Sequence, residues 1–427
     1  MLPTIIYYVS LVSLTFFTGK KLRGNSFGLL SAFFTATSPL ATSYVYRVLP
    51  DLLLGVIVSL SFYLFLKAQE GANKRIYFIS GVVIGFGLFV RPDGLLLAFF
   101  YLISMLFNAK KRAKGNRLTP ILYALAGILM IDSLYLFIFL FYTGNPLHPF
   151  LTFGGAVNAL STSPLWWNIR ALLDMLNPIS LQNIMGPYTY TVGAAFLFAL
   201  IGSALIVAKR DKAEPIAIFF ITVFFYYFLG TSSITHYSFI EVETRFFTSL
   251  LMPMSIATAY LIFEVYENLK SELKIYAIIS CAFLVFAVLF LYGNAYSSIL
   301  SYNKGNLEQE ALYNGVLASF ENISKNATPT IYISSGGASQ LQANYMNFSS
   351  SYKVPVISIF IAYGLSGNCI YKNNSFLAVI GPASQLNNSI TEAKEWSGDN
   401  CTLIFIKNLS SGQFKALLYK IKEKLPP

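Results

Sequence analysis

The sequence predicts an α-helical multi-pass membrane domain of about ten hydrophobic segments, followed by a small soluble α/β domain. Three observations carry this. The 427 residues are 55% hydrophobic and 11% charged, with a mean hydropathy of +0.59, whereas a soluble domain carries about 25% charged residues. Lys and Arg sit in short clusters between the apolar runs, the positive-inside signature of membrane proteins. After residue 293 the long apolar runs stop, and short strand-like and helix-like stretches alternate. The net charge of +11 is spread over the clusters and forms no nucleic-acid face.

In chain order the apolar segments are roughly 2–18, 26–45, 52–68, 77–90, 94–107, 118–142, 191–208, 215–231, 247–265 and 275–293. The first begins at once after Met1-Leu2-Pro3 with no positive n-region, so no secretory signal is recognisable. The second and third are separated by the polar break Arg47-Val48-Leu49-Pro50-Asp51. A cation and an anion at such a depth are costly and mark a functional site by default, against the plainer reading of a charged loop at the surface.

The 77–90 and 94–107 runs are shorter than the ~20 residues a span needs. They meet at Arg91-Pro92-Asp93-Gly94, where proline and glycine favour a turn. Orientation follows from the basic residues. Lys20, Lys21, Arg23, Lys67, Lys74, Arg75, Lys110, Lys111, Arg112, Lys114, Arg117, Lys209, Arg210, Lys212, Lys270 and Lys274 fall on one side, and only Arg47, Arg91, Arg170 and Arg245 on the other. The rich side is cytoplasmic. Segment 77–107 is then a hairpin whose arms, ~21 Å each at 1.5 Å per residue, fall short of the ~30 Å hydrocarbon core. Its tip is expected below the outer surface, in protein or a water-filled cavity.

Alternation of ten segments places the N-terminus and residues 294–427 outside. N-x-S/T sequons stand at Asn322, Asn326, Asn347, Asn373, Asn387, Asn400 and Asn408, all after the last apolar segment, where an exported acceptor belongs. The outer loop 143–190 carries His148 and, from Trp166-Trp167, an amphipathic stretch suited either to the interface or to ordinary packing. The outer loop 231–246 carries His236, Glu241, Glu243 and Arg245.

The chain thus divides into 1–293 and an exported 294–427. In the second part, Thr330–Ser334, Pro355–Ala362, Phe376–Ile380 and Thr402–Ile406 read as strands. Leu307–Ile323, Ile390–Trp396 and Ser411–Leu425 read as helices, the last with Phe414, Leu417, Leu418, Ile421 and Leu425 facing the core. Cys281 lies in a span; Cys369 and Cys401 are both outside, where a disulfide between them can persist.

No phosphate-binding glycine loop, dinucleotide fingerprint or metal-ligand spacing is present. What remains is a set of outer-face charges: Arg47, Asp51, Arg91, Asp93, Glu243 and Arg245, with Glu241 and His148 nearby. Arginine binds phosphate bidentately, a carboxylate activates an acceptor hydroxyl or amine, and a groove between helices suits a lipid tail. Together they describe a site for a lipid-phosphate substrate.

The run Gly19-Lys20-Lys21-Leu22-Arg23-Gly24, Ser38-Pro39, Arg47 and Pro50-Asp51 resembles membrane glycosyltransferases of the GT-C fold, such as protein O-mannosyltransferases and the lipid A aminoarabinose transferase. Gly85 to Gly94 is similar to the short hairpin after their fourth span. Gly144-Asn145-Pro146 resembles the start of their long outer loop, and Glu243-Thr244-Arg245-Phe246 with Pro253 resembles their E-x-R-F/Y…P element. The resemblance covers about residues 1–265. It implies a polyisoprenyl-phosphate sugar as donor, inversion at the sugar carbon, Asp51 as the acidic residue of the second outer loop, and arginines on the donor phosphate. The family's usual first span and first outer loop, which bears its main catalytic acid, have no counterpart here. A truncated start, a partner chain supplying that module, or a non-catalytic relative whose exported domain binds a partner would each account for that. A transporter fits less well, because no internal repeat is visible and the charges gather at one face.

Overall fold

The computed structural model describes residues 2–45, 51–109, 118–148, 190–230, 244–270, 274–290, 292–293, 296, 312, 315–316, 331–334, 356–358, 376–382, 401–411 and 414–423. The chain forms two compact units, Met1–Ile299 and Leu300–Pro427.

The first unit is helical. α1 (Leu2–Arg23) turns at Gly24 into α2 (Asn25–Ala36). Gly24 has φ +92°, a conformation costly for any residue with a Cβ. The two helices lie antiparallel, with the Tyr8 hydroxyl donating to Ala36 O at 2.6 Å and the Thr35 hydroxyl to Thr15 Oγ1 at 3.3 Å. The expected single segment 26–45 is broken. α2 stops at Ala36 and α3 (Pro39–Val45) begins on Pro39, since proline has no N–H to continue the ladder and disfavours helical geometry in the residue before it. α4 (Asp51–Gly71) follows, and α5 (Lys74–Gly85) starts at Asn73, whose side chain accepts from the N–H groups of Arg75 and Ile76.

The hairpin expected at 77–107 is present as α5, a four-residue α6 (Gly87–Val90), a turn at Arg91–Asp93, and α7 (Gly94–Ala109). Its neck is very close: a Cβ on Gly94 would lie 2.1 Å from the Gly87 carbonyl carbon, so only glycine fits there. α8 (Thr119–Thr143) packs parallel to α5, with Gly85 against Ile128 and Ile131 and the Phe89 ring 5.1 Å from Tyr135. Beyond that contact α8 runs eight more residues, to Thr143, whereas the hairpin gains only two before Arg91. At 1.5 Å per residue the hairpin tip stops roughly 9 Å short of the end of α8. The charged tip is recessed relative to its neighbour.

α9 (Tyr190–Ala208), α10 (Glu214–Leu229), a 3-10 turn (Thr244–Leu250), α11 (Leu251–Leu269) and α12 (Lys274–Phe290) complete the described helices. Among the described residues, four stretches are long and apolar enough to cross a membrane: Leu2–Arg23, Asp51–Gly71, Thr119–Thr143 and Arg245–Leu269. The last is almost wholly buried and is the axis around which the others pack, as expected of a helix apolar on every face. Phe219, Phe220, Phe224 and Phe228 of α10 fill the core beside it with Phe196 and Phe247.

The second unit contains a five-stranded sheet in the order β2-β1-β3-β5-β4, built from β1 (Ile331–Ser334), β2 (Val356–Ser358), β3 (Phe376–Pro382), β4 (Cys401–Ser411) and β5 (Phe414–Glu423). β1 pairs in parallel with β2 and β3, while β5 runs antiparallel to β3 and β4. The sheet is partly parallel, as the alternation of elements predicted. Its core is Leu377, Ala378, Val379, Ala416 and Leu418.

The expected final helix over Ser411–Leu425 is a strand. Phe414, Leu417, Leu418 and Ile421 fit a helical stripe, but the residues buried are Ala416 and Leu418, two apart, with Lys415 and Lys420 exposed. Only residues 412 and 413 separate this segment from β4, so a hairpin forms and its ladder to both neighbours overrides local helical preference. Cys401 begins β4; Cys369 and the expected helices over 390–396 and most of 307–323 lie outside the described residues.

Candidate active site

The charges singled out in the sequence meet at one end of α4. Asp51 opens that helix and is almost fully buried, 2% exposed. Its Oδ1 lies 2.7 Å from Arg91 Nη1, across 40 residues of sequence. Arg91 Nε faces Asp93 Oδ1 at 3.0 Å, close enough for an ion pair but off the line of a hydrogen bond. The Tyr227 hydroxyl of α10 donates to Asp93 Oδ2 at 3.3 Å. One guanidinium thus lies between two carboxylates, and one carboxylate is held from its far side as well.

Aromatic rings form the floor. Phe246, in the 3-10 turn, stacks on Tyr227 with centroids 4.9 Å apart and planes 17° from parallel. Arg91 Cζ sits 4.8 Å from the Phe246 centroid, and Arg245 Cζ 5.8 Å from the same ring. The turn is fastened to α4 by Thr248, whose hydroxyl is shared between Arg245 O at 2.7 Å and Asp51 O at 3.0 Å. The local sequence makes this arrangement. Pro92 and Gly94 enforce the turn that carries Arg91 and Asp93, Asp51 occupies a helix N-terminus where a negative charge is favourable, and the 3-10 turn brings Arg245, Phe246 and Thr248 to one place.

The 91–93 turn lies outside the helices, and its charges respond to burial. Desolvation pushes the Asp93 carboxyl above its ordinary value, with Arg91 and Tyr227 opposing the rise. Burial works against the Arg91 cation too, but Asp93, Tyr227 and Asp51 together more than offset it, so its pKa lies above the ordinary value. The guanidinium is charged throughout any working pH range.

The sequence-selected residues are therefore divided. Asp51, Arg91, Asp93 and Arg245 are brought together. His148 lies exposed in the turn past α8, its backbone N–H on Asn145 O. Arg47 and Glu243 lie outside the described residues, as do Glu241, His236, Trp166, Trp167 and the sequons at Asn322, Asn326, Asn347, Asn373, Asn387 and Asn400. The seventh sequon residue, Asn408, is exposed on β4.

Sequence reasoning missed Tyr227, Phe246 and Thr248 as site residues, since a tyrosine, a phenylalanine and a threonine in apolar surroundings carry no charge signal. It also passed over Asp132, which had one. This lone carboxylate, midway along the 25-residue α8, is 9% exposed and its Oδ1 has no hydrogen-bond partner. It is not joined to the Asp51 group.

Comparison with known proteins bears on the fold. Residues 1–137 match the profile of the Dolichyl-phosphate-mannose-protein mannosyltransferase family, a stretch that includes Asp51, Arg91 and Asp93. No curated protein matches the sequence. Among solved structures, ArnT from Cupriavidus metallidurans bound to undecaprenyl phosphate is similar, with a TM-score of 0.53 at 11% identity over 98% of this chain and 83% of that one. The Archaeoglobus fulgidus oligosaccharyltransferase in complex with Zn and sulfate gives 0.53 at 11% identity, covering 98% of this chain and 60% of that one. The archaeal oligosaccharyltransferase AglB from the same organism, with an inhibitory peptide and a dolichol-phosphate, gives 0.51 at 12% identity, covering 94% and 61%. The chain thus spans about three fifths of the oligosaccharyltransferase. With its apolar helices, recessed charged hairpin and terminal sheet, it is a multi-pass membrane protein of the GT-C fold, the fold of membrane glycosyltransferases.

Proposed function

We propose that the protein is a membrane glycosyltransferase that moves a sugar from a polyisoprenyl-phosphate donor to an acceptor on the outer face of the membrane. The observation that carries this is the Asp51–Arg91–Asp93 group, buried at a recessed break between helices with Arg245 beside it. A membrane interior holds such groups at a cost that a substrate contact explains. Arg245 and Arg91 take the donor phosphate, and Asp51 accepts the proton of the acceptor. The acceptor oxygen or nitrogen forms its bond to the sugar carbon on the side opposite the phosphate. The bond from that carbon to the phosphate oxygen breaks, and the lipid phosphate leaves with the electron pair. The proteins similar in fold bind undecaprenyl phosphate and dolichol-phosphate, which supports a donor of this class.

The test is transfer of labelled hexose by the full chain, reconstituted in vesicles, from dolichyl-phosphate or undecaprenyl-phosphate hexose. Asp51→Asn is expected to reduce turnover by about 10²- to 10⁴-fold with unchanged yield of folded protein. Equal loss of folded protein and of activity would make Asp51 a structural residue only. Binding of the lipid phosphate with no transfer of either sugar would favour a non-catalytic relative.

The second unit is proposed to lie on the same outer face, supported by exposure of the Asn408 sequon on β4. Protease added to intact cells should then remove it. A protected second unit with an accessible Lys110–Arg117 loop would reverse the orientation.

A further inference from the structure

We propose that the Asp51–Arg91 ion pair is a latch that the donor phosphate opens, so that the base becomes free only once the donor is seated. The inference rests on the phosphate reading above and adds an order of events to it. A guanidinium binds a phosphate bidentately through a pair of N–H groups on one edge. Arg91 offers two such edges, Nη1 with Nη2 and Nε with Nη2. In the structure Nη1 is contacted by Asp51 and Nε by Asp93, while Nη2 has no partner among the described residues. Every edge that could hold a bidentate phosphate therefore includes a nitrogen that a carboxylate already contacts.

The two carboxylates are not equally held. Asp93 belongs to the same turn as Arg91 and is fixed on its other oxygen by the Tyr227 hydroxyl, whose ring is in turn stacked on Phe246. Among the described residues the Asp51 carboxylate has Arg91 as its one partner. The Asp51 arm is the one that yields, and the Nη1–Nη2 edge is the one the phosphate takes. Two anions cannot share that edge, since unit charges about 4 Å apart repel by ~4 kcal/mol even at an effective dielectric of 20. Releasing Asp51 moves only its side chain: the backbone stays anchored because its carbonyl accepts from Thr248. The freed carboxylate is then the group available to an acceptor proton. Arg245, near the same Phe246 ring as Arg91, offers a second cation to the phosphate.

The latch makes a prediction of unusual sign. Removing the proposed base should tighten donor binding, because the competitor for Arg91 is gone. The experiment is equilibrium binding of dolichyl phosphate and undecaprenyl phosphate to the full chain in lipid nanodiscs, for the unaltered protein, Asp51→Asn, Asp93→Asn and Arg91→Ala. The expected result is about tenfold tighter binding by Asp51→Asn. Asp93→Asn should gain less, because Asp93 leaves the Nη edge free, and Arg91→Ala should lose binding. Thermal unfolding of each variant checks that the protein is folded, and Asp51→Leu, which also removes the competing charge, serves if Asp51→Asn is unstable. Binding by Asp51→Asn equal to or weaker than that of the unaltered protein overturns the latch and leaves the phosphate reading standing. Equal gains from Asp51→Asn and Asp93→Asn also overturn it, reducing the effect to general electrostatics. Failure of the unaltered protein to bind either lipid phosphate overturns the phosphate reading, and the latch with it.

Discussion

Two polar clusters lie at opposite ends of α4, separated by its 21 residues, or ~30 Å, and they are built differently. At the Asp51 end, one arginine lies between two carboxylates, and among the described residues Asp51 is held through Oδ1 alone. At the Gly71 end, Lys21 of α1 pairs with Glu70 at 2.6 Å, and beside it Arg23 meets two carboxylates and a tyrosine. Its Nη2 contacts Asp211 Oδ2 at 2.8 Å, Glu264 Oε1 at 2.7 Å and the Tyr260 hydroxyl at 2.8 Å, and its Cζ lies 4.1 Å from the Tyr260 ring. Lys209 holds the other Glu264 oxygen, and Asp211 Oδ1 accepts the Ala213 N–H at the start of α10. This far cluster ties α1, the α9–α10 connection and α11 together. Both oxygens of Asp211 and both oxygens of Glu264 are engaged by other groups of the chain. The difference teaches that density of charge does not by itself mark a site. A satisfied network fastens helices, whereas an arginine kept between yielding and fixed partners is poised for a substrate.

The sharpest way to break that contrast is Arg91→Ala. It strands Asp51 and Asp93 as buried carboxylates, and loss of one partner of a buried pair costs about 3–5 kcal/mol. Thermal unfolding in detergent should show the largest drop of any single change at either cluster, together with loss of transfer. A stable Arg91→Ala protein would mean that the carboxylates are paired by something other than Arg91.

Glu264→Gln tests the other end. The carboxylate is nearly buried but Arg23 is one-fifth exposed and retains Asp211 and Tyr260, so a cost of about 2 kcal/mol is expected, below the figure for an isolated buried pair. Turnover per folded molecule should stay within about twofold, because sites this far apart act independently. A selective loss of turnover without loss of stability would show that the far cluster communicates with the site.

The smallest effect belongs to Lys21→Ala. Glu70 is largely exposed, and exposed pairs contribute about 0–1 kcal/mol. The change in unfolding temperature should be near the limit of measurement and should vanish in high salt.

Much of the first unit was legible because its signals are chemical. A break such as Arg47 to Asp51 between apolar runs, or Arg91-Pro92-Asp93-Gly94 between two short ones, stands out against a background of 11% charge. The break of segment 26–45 could have been taken from Pro39. The second unit was legible in its strands but not in its last element. The stretch from Phe414 to Glu423 satisfies both a helical and an alternating pattern, and only its pairing partners choose between them.

By itself, then, the sequence determined that the chain crosses membranes several times, where its charges lie along it, and that its last third differs in kind. Those properties follow from burial cost and periodicity, which are local. Tertiary structure decided which charges meet. Asp51 and Arg91 are 40 residues apart, and Tyr227 stands 134 residues from the Asp93 it holds. Hydropathy assigns such residues to a depth but not to a partner, because contact depends on how α4, the hairpin, α10 and the 3-10 turn pack together. That packing also separated a site whose Asp51 is held through one oxygen from a network in which both oxygens of Asp211 and Glu264 are engaged.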